Sequence, residues 1–110
     1  RLAFDAQTAE RERALAQTRQ LTRFCANAIR AIHREEVALA QQTLEEARAL
    51  AETLCANLQP FPALYFAGYT QDALKEYVEA RTVFALVFDH PLPTPQELGV
   101  EPATYLKGLA

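Results

Sequence analysis

Two glutamates three residues apart are the residues of this sequence best suited to chemistry. Glu76 and Glu79 project from one face of a predicted helix, and Asp72 lies four residues before Glu76 on the same face. Val83 and an apolar run come next, so we expect the helix to carry these carboxylates into the protein core. Converging carboxylates repel one another, and a hard divalent cation such as Mg²⁺ relieves the repulsion. Such an ion can activate water for attack on a phosphodiester.

Ordinary surface ion pairs are the alternative interpretation of the same residues. Lys75 lies four residues before Glu79 and three after Asp72, which is the spacing of ion pairs on a helix. Because paired glutamates are common on helices, the spacing alone favours ion pairs over a metal site. The residue pattern by itself therefore leaves both interpretations open.

A row of arginines on the first predicted helix is the second candidate site. The row spans about 60° on the side opposite the apolar stripe and consists of Arg19, Arg23, Arg30 and Arg34. Guanidinium groups on a rigid helix are suited to contacting phosphates. A solvated helix face, which Glu12 shares, is the alternative. The net charge of −3 gives no support to a nucleic-acid partner, so binding would need such a local cluster.

Helices must position these residues. The first predicted helix lacks glycine and proline, and the second keeps a strict three-four alternation of apolar residues until Pro60. The third ends in the apolar run 83–88, which we expect to be surrounded by protein. Thr94 and Glu97 form a predicted capping box. We predict one all-α domain over residues 1–110, an antiparallel bundle of long helices, with helices at 6–34, 37–58, 63–88, 95–98 and 102–110.

Length and composition limit the class of protein. The chain has 110 residues, 50% of them hydrophobic and 23% charged, which fits one folded domain and excludes a disordered chain or a membrane protein. No apolar run reaches the ~18 residues that span a bilayer, and no signal-peptide pattern is visible. We therefore expect a cytoplasmic protein without a membrane partner. Methionine is absent, so we expect the sequence to begin inside a longer polypeptide.

Several segments resemble Trax, the translin-associated factor X, and its prokaryotic relatives. The stretch from Leu74 to Ala80 is similar to the QEYVEA signature of that family. Residues 19–23 and 29–34 resemble its first long helix, which ends in (L/I)HR. Residues 92–100 resemble its lP-x-x-EELGV linker, and residues 105–110 resemble the start of its YLLGLAD helix. The combination covers nearly the whole chain and is specific to the translin and Trax family.

The resemblance implies an all-α, translin-like bundle that binds single-stranded RNA or DNA. It also implies assembly with further copies or with a translin-like subunit. Trax-type members cleave RNA with Mg²⁺ held by acidic residues, so we expect Mg²⁺-dependent endoribonuclease activity, with Mn²⁺ as the other candidate ion. Glu76 and Glu79 match two of those acidic residues and are the expected catalytic and metal-binding pair. The arginine row is expected to position the phosphates.

One family feature lies outside this sequence. The third acidic residue of the family immediately follows the YLLGLA segment, whereas this sequence ends at Ala110. We therefore expect this chain alone to lack one metal ligand and the last helices of the bundle, and to be inactive as a nuclease. Asp72 is a weaker candidate for the third ligand.

Three other functions remain open. A non-catalytic, translin-like protein would bind single strands without cleaving them. A helical oligomerisation module is indicated if Glu76 and Glu79 are exposed and paired with lysines. A nucleotide pyrophosphatase of the MazG kind also uses Glu-x-x-Glu, but the downstream Glu-x-x-Asp of that family does not occur in this sequence.

Overall fold

Six α-helices make up the described part of the chain. The computed structural model describes the backbone of residues 2–110 and the side chains of residues 5–110. The helices are α1 (Leu2–His33), α2 (Val37–Leu58), α3 (Pro62–Tyr65), α4 (Gly68–Val87), α5 (Pro95–Leu98) and α6 (Pro102–Leu109). No strand occurs in residues 2–110, and the predicted all-α class is confirmed. None of these helices has both the length and the apolar character needed to cross a membrane.

A tight turn joins α1 and α2 into an antiparallel hairpin. Glu35 adopts a left-handed conformation with a φ of 58°. The Glu35 amide donates to the carbonyl of Ile32 at 3.0 Å, and the Glu36 amide donates to the carbonyl of Ala31 at 2.9 Å. These bonds form a Schellman motif that satisfies carbonyl groups at the end of α1. The turn therefore reverses the chain within three residues and places α2 alongside α1.

α4 packs against the hairpin and carries much of the core. Leu74, Tyr77 and Val78 of α4 are each at most 1% exposed. Full burial of one such side chain contributes about 1.5–3 kcal/mol. They meet buried residues that recur every three or four positions on the hairpin: Leu21, Cys25, Ala28 and Ile32 of α1, and Leu44, Ala47, Ala51, Leu54 and Leu58 of α2. α4 runs in the same direction as α1 and opposite to α2.

The structure divides the predicted helix at 63–88 into α3 and α4. Phe66 follows the last residue of α3, and Ala67 is extended, with a ψ of 148°. A helix cannot continue through this conformation, so α4 begins anew at Gly68. The prediction of one continuous helix is therefore wrong at this point.

Side chains of α4 and α6 explain the break between α3 and α4. The Thr70 hydroxyl donates to the carbonyl of Leu64 at 2.8 Å, and the Gln71 amide donates to the carbonyl of Tyr65 at 2.8 Å. These bonds satisfy carbonyl groups that the end of α3 leaves without a helical partner. Gln71 also accepts from the Thr104 hydroxyl of α6 at 2.5 Å. Contacts distant in sequence thus stabilise the break, and helical periodicity does not reveal them.

The end of α4 is more exposed than the sequence predicts. Residues 83–88 are predicted to be surrounded by protein, yet Leu86 is 67% exposed and Val87 is 52% exposed. Phe84 and Ala85 are buried. The described helices cover one side of α4, so only the residues on that side of the segment are enclosed.

The connection to α6 has a defined geometry. Thr94 accepts from the Glu97 amide at 3.1 Å and its own amide donates to Glu97 at 2.9 Å, which confirms the predicted capping box. Gly99 ends α5 in a left-handed conformation with a φ of 69°. The Tyr105 hydroxyl donates to the carbonyl of Pro93 at 2.7 Å and ties α6 to this connection.

α6 approaches α4 most closely at Gly108. A Cβ atom at this position would lie 2.5 Å from the Cβ of Val78 and 3.0 Å from the carbonyl oxygen of Lys75. Only a residue without a side chain allows this approach. Gly108 therefore determines how closely α6 packs along α4.

We expect Gly108→Ala to lower the free energy of unfolding by about 1–3 kcal/mol, because the added methyl group overlaps Val78. Gly68→Ala is the matched control, since nothing lies within 4 Å of a Cβ at that position. It should change the free energy of unfolding by less than about 0.5 kcal/mol. Urea unfolding followed by circular dichroism measures both values. Equal stability of the two variants would contradict the close approach of α6.

Candidate functional site

A groove with a volume of about 500 Å³ lies between α1 and α4. Arg19 and Thr22 line it from α1, and Asp72, Lys75 and Glu76 line it from α4. The groove therefore brings a predicted phosphate-binding residue, Arg19, to the same surface as two of the predicted acidic residues. Glu79 is not among its lining residues.

The acidic side chains lie at the surface of the bundle and not in its core. The side chain of Glu76 is 36% exposed, and Asp72 and Glu79 are exposed. The prediction that α4 carries these carboxylates into the core is therefore wrong for the described chain. The core face of α4 is formed by Ala73, Leu74, Tyr77 and Val78. Positions 72, 76 and 79 therefore lie on the opposite flank of the helix.

Lys75 forms an ion pair beside the groove. Its Nζ atom lies 3.5 Å from Oε2 of Glu76, and both side chains are 36% exposed. Water screens a pair at this exposure, so the contact adds little to stability. The ion-pair alternative expected Lys75 to pair with Glu79 or Asp72, and the structure instead pairs it with its neighbour. One of the two candidate glutamates thus has a lysine partner.

The buried thiol of Cys25 shows that both glutamates lie near α1. Cys25 is 1% exposed. Burial raises the pKa of Cys25 to about 12, and the negative charges of Glu76 and Glu79 contribute to this increase. The two carboxylates therefore act on the same point of α1, although only Glu76 lines the groove. A thiol with this pKa stays protonated at neutral pH.

The carboxylate pair fits part of a metal site. Within residues 5–110, no group of three or more histidine, cysteine, aspartate or glutamate side chains is placed to hold a metal ion. Mg²⁺ is commonly held by one or two carboxylates together with several waters. The oxygen atoms of Glu76 and Glu79 match that chemistry. Any further protein ligand would have to come from beyond the described side chains.

The four arginines of the predicted row are all exposed: Arg19, Arg23 and Arg30 lie on α1, and Arg34 lies in the turn just after its last residue. Arg23 donates a hydrogen bond to Gln20, and Arg30 donates one to Asn27. Both acceptors are neutral and leave the positive charges in place. Among the described side chains, no carboxylate lies within salt-bridge distance of Arg19, Arg23, Arg30 or Arg34.

The neighbouring helices separate the arginine row into two surfaces. Arg19 lines the groove between α1 and α4, whereas Arg30 and Arg34 line a groove of about 250 Å³ between α1 and α2. Arg30 lies eleven residues beyond Arg19, which is about 16 Å along a helix. The structure therefore brings Arg19 to the acidic residues and does not bring Arg30 or Arg34 there.

Tyr69 is a further residue of the groove between α1 and α4. It lines the groove, and its hydroxyl group is buried without a hydrogen-bond partner among the described atoms. A buried hydroxyl without a partner is unfavourable, and a water molecule bonded to it would remove this cost. The spacing of Tyr69 from the acidic residues could have identified it as a groove residue from the sequence. Tyr69 precedes Asp72 by three residues and Glu76 by seven, which places all three on one helical face.

Two known proteins are similar to this chain. No protein-family model matches it. An uncharacterized protein of Methanocaldococcus jannaschii is 31% identical over 103 residues, which cover 91% of this chain and 45% of that protein. The crystal structure of apo-NeC3PO matches with a TM-score of 0.90 and 24% sequence identity, over 97% of this chain and 56% of that one. This chain thus spans about half the length of the proteins that it matches.

The structural match concerns the arrangement of helices along almost the whole chain. An all-α, translin-like bundle is the fold that the resemblance of the sequence predicts, and the match agrees with it. At 24% identity, the match establishes the fold and leaves activity to be tested. The described chain therefore has an all-α fold of the translin type.

Proposed function

We propose that this chain is the helical, nucleic-acid-binding part of a Trax-like protein whose complete form cleaves single-stranded RNA with Mg²⁺, or with Mn²⁺ in its place. The groove that Arg19 shares with Glu76 is the observation that most directly supports this proposal. Phosphodiester cleavage needs a cationic group for the phosphate and carboxylates for a divalent ion. Single-stranded DNA carries the same phosphates and is the second nucleic acid that this surface would bind.

The arginine row would supply the affinity for nucleic acid. From Arg19 to Arg30 the row covers about 16 Å along α1, and Arg34 follows in the turn after the helix. Its guanidinium groups are exposed and have no carboxylate partner among the described side chains, so their charge is available to phosphates. Such contacts do not read sequence, because every nucleotide carries the same phosphate. Tyr69, in the groove, offers an aromatic ring on which a base can stack.

Glu76 and Glu79 would hold the metal ion. When bound, Mg²⁺ activates a water molecule and neutralises charge that develops on the phosphate. Arg19 would hold a phosphate beside these carboxylates, so that the bond to be cleaved is fixed near them. We further propose that the complete protein assembles with its own copies or with a translin-like subunit. The similarity of this chain's fold to that of apo-NeC3PO supports this part of the proposal.

A protein that binds single strands without cleaving them is the second candidate. Two observations favour it. Glu79 is exposed, and Glu76 already pairs with Lys75. The described side chains also contain no group of three metal ligands. Nucleic-acid binding by the complete protein, without metal-dependent cleavage, would identify this function. Exposed glutamates with a lysine partner also fit a helical oligomerisation module, which would bind neither RNA nor DNA.

In the complete protein, we expect Glu76→Gln and Glu79→Gln each to reduce Mg²⁺-dependent cleavage of single-stranded RNA at least about 100-fold. Glutamine keeps the shape of the side chain and removes the charge that holds the ion, so the Kd for RNA should change less than about twofold. A fluorescent RNA substrate, assayed with Mg²⁺ and with a chelator, measures cleavage. Glu46→Gln is the matched control, because Glu46 is an exposed glutamate of α2. Cleavage by both site variants at the parental rate would refute the metal-binding role.

We expect Arg23→Gln to weaken RNA binding to a similar extent for all RNA sequences and to lower the salt dependence of log Kd by about one unit. The reason is that one phosphate contact is lost and fewer counterions are released on binding. Fluorescence anisotropy over a series of salt concentrations measures both quantities. Arg48→Gln serves as the control, since Arg48 of α2 already pairs with Glu45 and Glu52. If Arg23→Gln left the salt dependence of log Kd unchanged, Arg23 would not be part of the RNA-binding surface.

A further inference from the structure

A second cavity, with a volume of about 400 Å³, lies where the end of α2, α3 and the start of α6 meet. It shares no lining residue with the groove between α1 and α4. The residues that matter for its chemistry are Cys55, Pro62, Tyr65, Phe66 and Glu101. A volume of this size is in the range of small-molecule sites. The cavity is therefore a separate candidate for ligand binding.

Glu101 is the only carboxylate or basic side chain among the described residues that line this cavity. It is half-buried, and its Oε2 atom accepts a hydrogen bond from the Tyr65 hydroxyl at 2.8 Å. Among the described residues, no lysine, arginine or histidine lies within salt-bridge distance of this carboxylate. A partly buried carboxylate with a neutral partner is under-compensated, so it favours an approaching cation.

The network around Tyr65 fixes the carboxylate in place. The carbonyl of Tyr65 accepts from the Gln71 amide at 2.8 Å, and Gln71 accepts from the Thr104 hydroxyl at 2.5 Å. Thr104 is 5% exposed, so this network is anchored in the interior. α3, α4 and α6 therefore hold Tyr65 and Glu101 together. A ligand meets a preformed site and does not need to order these side chains.

The rest of the cavity is apolar and aromatic. Phe66 is 62% exposed, which is unusual for a large apolar ring, and it contacts Tyr65 edge-on with 4.8 Å between ring centroids. Pro62 is exposed and lines the cavity with an aliphatic ring, whereas Leu58 is fully buried. Burial and the charge of Glu101 raise the pKa of Cys55, so the thiol is protonated and neutral. The cavity thus presents one negative charge, aromatic rings and an aliphatic wall.

We propose that this cavity binds a protonated alkylamine, with the ammonium group at Glu101 and the aliphatic stem against Pro62 and Phe66. A carboxylate attracts an ammonium ion, and the face of an aromatic ring adds a cation–π attraction. Apolar walls match the methylene groups of the stem. A free alkylamine and a lysine side chain of another protein share this chemistry. The inference is independent of the proposed nuclease activity.

Titration of the chain with n-pentylamine, followed by NMR of the backbone amides, tests the proposal. We expect the amide signals that shift to belong to residues around Tyr65, Phe66 and Glu101. 1-Pentanol has the same stem without the charge and should bind at least about tenfold more weakly. Nα-Acetyl-lysinamide, titrated in parallel, distinguishes a lysine side chain from a free amine as the natural source. Equal affinity for the amine and the alcohol, or shifts confined to other surfaces, would overturn the proposal.

Two variants locate the interaction at this cavity. Glu101→Gln keeps an acceptor for the Tyr65 hydroxyl and removes the charge, so we expect the affinity for n-pentylamine to fall about tenfold. Phe66→Leu keeps an apolar side chain at an exposed position and removes the ring, so the affinity should fall severalfold. Glu46→Gln removes an equal charge from an exposed site on α2 and should leave binding unchanged. Parental affinity in Glu101→Gln would also overturn the proposal.

Discussion

Burial of one face of α4 is the constraint on which the positions of all candidate residues depend. Leu74, Tyr77 and Val78 are almost fully removed from water, and each contributes about 1.5–3 kcal/mol to folding. Turning α4 by one residue, about 100°, would expose part of this face and bring charged groups toward the core. Burying a carboxylate without a partner costs more than such a rotation could recover. The apolar face therefore fixes the carboxylates of Glu76 and Glu79 on the flank.

The orientation of α4 about its own axis also determines the electrostatics beside α1. The acidic flank lies close enough to Cys25 to affect its thiol, and Glu76 shares a groove with Arg19. A chain with a net charge of −3 thus presents an exposed basic helix face next to an acidic flank. Opposite charges on adjacent exposed surfaces can attract both a polyanion and a divalent cation. The net charge of the chain does not reveal that basic and acidic surfaces lie side by side.

Much of the fold could be predicted from the sequence, but less of the site. The absence of glycine and proline in α1 and the spacing of apolar residues in α2 indicate an all-α chain, and the Thr94 capping box is a local signal. The break at Ala67 depends on bonds made by Thr70 and Gln71, which periodicity does not reveal. A helical wheel places Arg19 and Arg30 on one side of α1. Only the packing of α2 and α4 shows that they line different grooves.

The shared direction of α1 and α4 has an electrostatic consequence of its own. The peptide dipoles of each helix place about half a positive charge at its amino end and half a negative charge at its carboxyl end. Among the three long helices, α2 runs the opposite way and cancels one of the two parallel ones, so the dipole of one long helix remains uncompensated. The two ends of the bundle therefore differ in potential before any side chain is counted. A phosphate lying near the amino end of α1 would therefore be bound more favourably than one near its carboxyl end.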